Sequence, residues 1–131
     1  MTKEKSSKKP LDNSQQNNTI DKNKISYNDF AKLDLRVGKI IKVEEHPNAD
    51  KLYILEVDLG NKDKRTIVAG LRLKYKKEEL IGKKAVFVAN LEPAIIRGVE
   101  SNGMLLAAGD DHENIIILAP EKDIKEGSKI R

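Results

Sequence analysis

The residues with the clearest chemical potential lie in one long connection, residues 90–103. Asn90 carries an amide that can donate and accept hydrogen bonds, Arg97 a planar guanidinium that fits phosphate, and Ser101 a hydroxyl. Gly98 and Gly103 would let a partner approach the backbone closely. A connection of this length in a short chain is typical of a functional loop. These residues predict binding of a phosphate-bearing ligand.

Each of these residues also has a purely structural interpretation. Asn90 would order a turn ahead of the proline at position 93, and Ser101 would satisfy nearby backbone groups. Met104 would fill a gap in the core, although it could also border the site. Two isoleucines, Ile95 and Ile96, directly precede Arg97 in sequence and would form either a dimer patch or a clamp on a base or ribose.

Catalysis and metal binding are not indicated by the remaining candidate residues. His46 and His112 are the only histidines, they lie far apart, and each is predicted to be a solvated loop residue. The acidic run 110–113 matches no zinc or calcium spacing, and no glycine-rich phosphate loop or nucleophile elbow is present. With no cysteine, the chain offers no thiolate ligands. We therefore expect no catalytic residue, no metal and no cofactor.

The elements that would position the binding residues are mostly strands. Alternating apolar residues, punctuated by Gly, Pro, Asn and Asp turns, predict a barrel with a short helical turn at 76–81. Gly38 suggests a bulge or sharp bend in the first strand, and Asn28 or Asp29 would cap a helical turn that places Phe30 in the core. The predicted strands are 35–45, 52–59, 65–69, 85–89, 104–108 and a small extra C-terminal strand, 115–118.

Five strands with a helix between the third and fourth predict an all-β OB-fold, a five-stranded Greek-key barrel. A β-sandwich is the competing architecture, but it would need a longer chain. An OB barrel binds ligands on strands two and three, between the loops that here span 46–51 and 90–103. Arg65 and Arg72 would add cations to that face.

Composition limits the partners. The 131 residues carry a net charge of +4, with 35% charged and 38% hydrophobic residues. Residues 1–25, rich in Lys, Asn, Ser and Gln, predict a disordered tail before a folded domain at 26–131. No apolar run is long enough for a membrane span or secretory signal, which indicates a cytoplasmic protein. With few aromatic residues to stack bases, folded RNA is favoured over a single strand.

Six segments in order give the sequence a specific resemblance. Residues 30–40 (FAKLDLRVGKI), 46–53 (HPNADKLY), 67–71 (IVAGL), 88–94 (VANLEPA), 97–104 (RGVESNGM) and 117–120 (ILAP) resemble the tRNA-binding domain family. That family includes the C-terminal domain of methionyl-tRNA synthetase, domains like endothelial-monocyte-activating polypeptide and stand-alone tRNA-binding proteins. The resemblance covers residues 26–131.

The resemblance implies an OB-fold that holds tRNA by its structure and tolerates sequence variation. It implies a non-catalytic accessory, or beta, subunit or an appended domain of methionyl-tRNA synthetase, often a homodimer. It ties five positions to the binding face: Lys51, Asn90, Arg97, Ser101 and Met104. A secretion-chaperone-like branch shares the fold, so a peptide-binding chaperone is the alternative, and a pure dimerisation module is a third reading.

Overall fold

Alternating side chains build the barrel in the computed structural model, which describes residues 23–131. In the second strand, Tyr53, Leu55 and Val57 point inward and are nearly or fully buried, while the residues between them are half-buried. Strands one, three and four add Ile40, Ile67 and Phe87, each completely buried, to the same core. The apolar residues that alternate along strand two therefore form one side of the core.

Nine strands and two short helices are described in this part of the chain. The helices are α1 (Tyr27–Ala31) and α2 (Lys77–Leu80). The strands are β1 (Leu35–Glu45), β2 (Tyr53–Asp58), β3 (Lys64–Ala69), β4 (Lys84–Val88), β5 (Ala94–Ile96), β6 (Val99–Ser101), β7 (Met104–Leu105), β8 (Ala107–Gly109) and β9 (Ile115–Ile117).

The main sheet is antiparallel and has the order β3-β2-β1-β4-β7. Its two outer strands, β3 and β7, contact each other, so the sheet is nearly closed. The all-β, OB-like barrel predicted from the strand pattern is confirmed, as is the helix α2 between β3 and β4. Of the tail predicted over residues 1–25, residues 1–22 lie outside the part of the chain that the structure describes.

Five local predictions are wrong. The predicted loop 90–103 contains the hairpin β5–β6, and the predicted strand 104–108 is divided into β7 and β8, with β8 pairing with β9. The register of β1 against β2 shifts between Ile40 and Lys42, so the bulge is not at Gly38. The cap of α1 is Ser26, whose Oγ accepts the Asp29 N–H at 3.1 Å. No residue of α1 is buried, so Phe30 is not in the core.

The C-terminal segment runs alongside the beginning of β1. Val37 N–H donates to the Ser128 carbonyl at 2.9 Å, and Gly127 N–H donates to the Val37 carbonyl at 2.8 Å. Ile130 N–H donates to the Leu35 carbonyl at 2.9 Å. The last residues of the chain are thus paired with the first strand of the barrel.

A charge network also stabilises this end of the barrel. Arg36 forms ion pairs with Asp34, at 2.7 Å, and with Asp63, at 3.1 Å, and Lys129 reaches Asp34 at 3.1 Å. The hydrogen bond from Arg36 lowers the pKa of Asp34 to about 2, with a smaller contribution from Lys129 and against the effect of burial. The network joins the start of β1, the β2–β3 turn and the C-terminal segment.

We expect Asp34→Asn to lower the free energy of unfolding by about 2 kcal/mol at pH 7, because the folded state favours the carboxylate. This stabilisation is complete above the unfolded pKa of 3.8 and is lost as the pH falls towards 2. Urea titrations of both proteins between pH 7 and pH 2 should therefore converge on acidification. A constant difference between them over this range would contradict the assignment.

Candidate nucleic-acid interface

The hairpin β5–β6 presents Arg97 at its tip. Ile96 pairs with Val99, so Arg97 and Gly98 form a two-residue turn. Their φ values are 52° and 91°, the left-handed pair that a type I′ turn requires. Glycine adopts this conformation freely, but an arginine there costs about 1 kcal/mol or more. The strained, exposed arginine is unusual for a turn with no other role.

The tip of the hairpin is fastened to the loop 46–51, which joins β1 to β2. The Arg97 guanidinium donates to the Asn48 carbonyl at 2.8 Å. His46 Nε2 lies 3.0 Å from the Ile96 carbonyl, and His46 Nδ1 accepts the Asn48 N–H at 3.0 Å. His46 is only 2% exposed, so the prediction that it is a solvated loop residue is wrong.

The base of the hairpin is fastened to β3. Ser101 is buried; its Oγ accepts the Val68 N–H at 2.9 Å and donates to the Gly103 carbonyl at 3.1 Å. Asn102 N–H donates to the Thr66 carbonyl at 2.8 Å. A Cβ on Gly103 would lie 3.1 Å from both Ile67 and the Val88 carbonyl, so β7 and β3 meet closely here. Ser101 therefore positions the hairpin, and its hydroxyl is engaged within the protein.

Arg72 supports the loop 46–51 from the segment that follows β3. Its guanidinium donates to the Ala49 carbonyl at 3.1 Å and pairs with Glu45 at 3.4 Å. The backbone N–H of Arg72 donates to the Lys51 carbonyl at 3.3 Å, and the Lys51 side chain itself is exposed. The structure thus brings Lys51, Arg72 and Arg97 to one loop.

Arg65 lies apart from this group and closes one end of the barrel. Its guanidinium pairs with Asp63 at 3.0 Å and donates to the Ala89 carbonyl. The side chain is 16% exposed. Its hydrogen bonds therefore link β3 to the end of β4, which is a structural use of the residue.

Asn90 and Met104 lie together at the end of β4. Met104 pairs with Val88, two residues before Asn90, and is 44% exposed. Asn90 Oδ1 accepts the Asp34 N–H at 2.8 Å, and the Ala89 N–H donates to the Asp34 carbonyl at 2.7 Å. Asn90 therefore has a structural hydrogen bond, and the prediction that Met104 is in the core is wrong.

Sequence reasoning missed His46 and Asn48 as the parts that hold the hairpin tip. Their partners are the Ile96 carbonyl, 50 residues away, and the Arg97 side chain. A backbone carbonyl carries no sequence signal, so the residue pattern alone does not reveal the contact. The one available signal was that both residues belong to the segment 46–53.

The site that results is a cationic rim on a rigid frame. We use the name hairpin rim for Lys51, Arg97 and the exposed Ile95, which is 70% exposed. Exposed cations can take phosphate oxygens, and the apolar side chain can contact a base or ribose. Within residues 23–131, no group of acidic and histidine side chains is arranged to hold a metal ion. None of the described helices is long and apolar enough to cross a membrane.

Known proteins with similar sequences include a domain family and several long enzymes. The family model for the tRNA binding domain matches residues 35–129. A methionine–tRNA ligase from Pyrococcus horikoshii is 64% identical over 107 residues, which are 82% of this chain and 14% of that enzyme. The chain therefore spans about 14% of the length of the curated relatives that it matches first.

Two solved structures share the fold of most of the chain. The crystal structure of a MetRS-related protein from Pyrococcus horikoshii superposes with a TM-score of 0.77 at 36% identity, covering 82% of this chain and 97% of that one. The chaperone CsaA from Bacillus anthracis superposes with a TM-score of 0.75 at 30% identity, covering 82% and 99%.

Proposed function

This chain belongs to the tRNA-binding domain family, and from that membership we propose that it is a non-catalytic module that holds folded tRNA. The observation that carries the proposal is the hairpin rim. Arg97 occupies a strained backbone conformation at the tip of the hairpin. Its side chain fastens that tip to the loop that bears Lys51. A rim that is fixed before binding loses little entropy when a rigid RNA docks on it.

The mechanism is capture of the RNA backbone by charge and shape. The guanidinium of Arg97 and the ammonium of Lys51 contact phosphates, and Ile95 packs against a ribose or an unstacked base. Asn90 and Met104 extend the contact towards the end of β4, while Ser101, Arg65 and Arg72 hold the frame. Because phosphate contacts carry no sequence information, the module distinguishes tRNA by its fold.

We propose that the partner of this module is the catalytic chain of methionyl-tRNA synthetase, either as an accessory, or beta, subunit or as an appended domain in the cytoplasm. The relatives that support this are ligases of which the match covers about 14%. Retaining tRNA beside a catalytic chain raises its local concentration and increases the apparent affinity without any chemistry in this module.

Fluorescence anisotropy tests the proposal. The ligands are bulk tRNA, an unstructured RNA of equal length and duplex DNA, each at low and moderate salt. We expect preferential binding to tRNA that weakens steeply as salt rises. Binding releases counterions from the RNA phosphates, and a higher salt concentration opposes that release. Equal binding or no binding to all three would overturn the proposal.

The second candidate function is a peptide-binding chaperone. It is favoured by the superposition on chaperone CsaA and by Ile95 and Leu73, which are 70% and 66% exposed. Binding of an extended apolar peptide depends little on salt, whereas RNA capture depends on it strongly. An unfolded apolar polypeptide that competes with tRNA and binds equally at both salt concentrations would favour the chaperone.

We also propose that the chain forms a homodimer through the outer face of β8–β9. Ile116 pairs with Ala108 on that face and is 59% exposed, and Leu118 beside it is 39% exposed. We expect Ile116→Lys to shift the sedimentation coefficient from dimer to monomer without unfolding the barrel. Wild-type protein that sediments as a monomer at micromolar concentration would contradict the homodimer.

A further inference from the structure

His46 is a buried histidine with both ring nitrogens engaged across two separate segments. Nδ1 accepts the N–H of Asn48 within its own loop, and Nε2 lies 3.0 Å from the carbonyl of Ile96 in the hairpin. The side chain is 2% exposed, so water does not substitute for either partner. His46 therefore connects the loop 46–51 to the hairpin β5–β6.

Only one protonation state satisfies both contacts. A carbonyl can only accept, so Nε2 must carry a proton, and an amide N–H can only donate, so Nδ1 must be bare. This is the neutral Nε2–H tautomer. A second proton on the ring would place two donors, Nδ1–H and the Asn48 N–H, against each other and break the hydrogen bond within the loop.

Charged groups near His46 come from its own loop, from the segment after β3 and from the hairpin. The loop itself holds Glu45 on one side and Asp50 and Lys51 on the other. Arg72 places Nη1 3.4 Å from the His46 carbonyl, and Arg97 is anchored on Asn48. An imidazolium would add positive charge next to two arginines, with Glu45 already paired to Arg72.

We propose that neutral His46 positions the hairpin rim for tRNA, and that protonation of His46 releases the hairpin tip and weakens tRNA binding at acidic pH. The inference rests on the proposed function of the rim. His46 touches no ligand; it acts through Asn48 and Ile96, which fix Arg97 relative to Lys51.

The expected fall in tRNA affinity at acidic pH is opposite to the change that the net charge of the protein alone would produce. Acidification makes the protein more positive, which by itself tightens binding to a polyanion. A loss of affinity at low pH therefore requires a change in geometry. His112, the other histidine, is exposed and supplies a matched control, because it adds the same charge without contacting the hairpin.

The test measures tRNA affinity at pH 8 and pH 5.5 at constant ionic strength for wild type, His46→Gln and His112→Gln. We expect the dissociation constant of wild type and of His112→Gln to rise about tenfold on acidification, since a hydrogen bond that holds the rim is lost. His46→Gln should bind more weakly than wild type at pH 8 and show no such rise. His46→Asn, whose Oδ1 can accept the Asn48 N–H, serves as a second non-titrating variant if His46→Gln does not fold. Equal pH profiles for wild type and the His46 variants would overturn the inference.

A measurement without RNA separates this inference from the proposed function. The protection of the Asn48 amide against hydrogen exchange, corrected for the intrinsic pH dependence of exchange, should fall about tenfold in wild type between pH 8 and pH 5.5. If wild type binds no tRNA while this protection falls, the proposed function fails and the coupling of His46 to the loop stands. Unchanged protection would overturn the coupling, whatever the RNA result.

Discussion

Replacing Arg97 with asparagine is expected to weaken tRNA binding by roughly tenfold to fiftyfold while leaving the barrel as stable as before, because a charged hydrogen bond to phosphate is lost. Asn-Gly is the dipeptide preferred in type I′ turns, and asparagine tolerates the φ of 52° that Arg97 adopts. The relief of backbone strain offsets the loss of the hydrogen bond to the Asn48 carbonyl. Anisotropy with tRNA and a urea unfolding curve measure the two quantities.

The control for this prediction is Arg131→Asn, which removes the same charge from the C-terminal residue and leaves the hairpin unchanged. The slope of log affinity against log salt should fall by about one for Arg97→Asn, as expected when one phosphate contact is lost. Affinity equal to that of Arg131→Asn would show that the hairpin tip does not contact the RNA. A fall in stability that accompanies the loss of affinity would instead assign Arg97 a structural role.

Replacing Gly38 with valine is expected to lower the free energy of unfolding by about 3 kcal/mol or more, because the core at this point is already filled. A Cβ on Gly38 would lie 2.7 Å from the ring of Phe87 and 2.8 Å from side-chain carbons of Leu59 and Val57. These neighbours are almost completely buried, so none of them can move into solvent. Chemical denaturation followed by circular dichroism measures the change.

Gly70→Ala is the matched control, since a Cβ there would have Leu52 at 3.8 Å as its nearest neighbour, an ordinary contact. That variant should stay within about 0.5 kcal/mol of wild type, as is usual for surface substitutions. If Gly38→Val unfolds at the same urea concentration as Gly70→Ala, the core near Phe87 has room that the packing does not suggest. The unfolding slope should be the same in all three proteins.

Much of the barrel could be predicted because its signals are local. Alternation of apolar residues gave β1 its observed bounds, 35–45, and placed β2, β3 and β4 within one or two residues of the observed strands. Residues 76–81 followed by Gly82, whose φ is 85°, predict a helical turn, and the helix α2 is observed at Lys77–Leu80. Each of these elements is indicated by the pattern of apolar and turn residues within one continuous stretch of sequence.

The errors share a different cause, namely contacts between distant residues. Arg97-Gly98 is not a preferred hairpin dipeptide, so the sequence predicts a loop where the hairpin β5–β6 forms, with its tip fastened to Asn48. A glycine within a strand pattern predicts a bulge or sharp bend at Gly38, whereas its role is to make room for Phe87 and Leu59, which lie far along the chain. The burial of His46 and Ser101 likewise depends on segments about 50 and 33 residues away.

The pairing of the C-terminal segment with β1 has a consequence for how the barrel can be built into larger proteins. Leu35 and Ile130 are joined by a hydrogen bond, so the chain enters and leaves the barrel at the same place. A short linker could close these ends, and the exposed turn 110–113 offers a site for new termini. The barrel is therefore suited to circular permutation, and to insertion within a host loop as readily as to fusion at a host terminus.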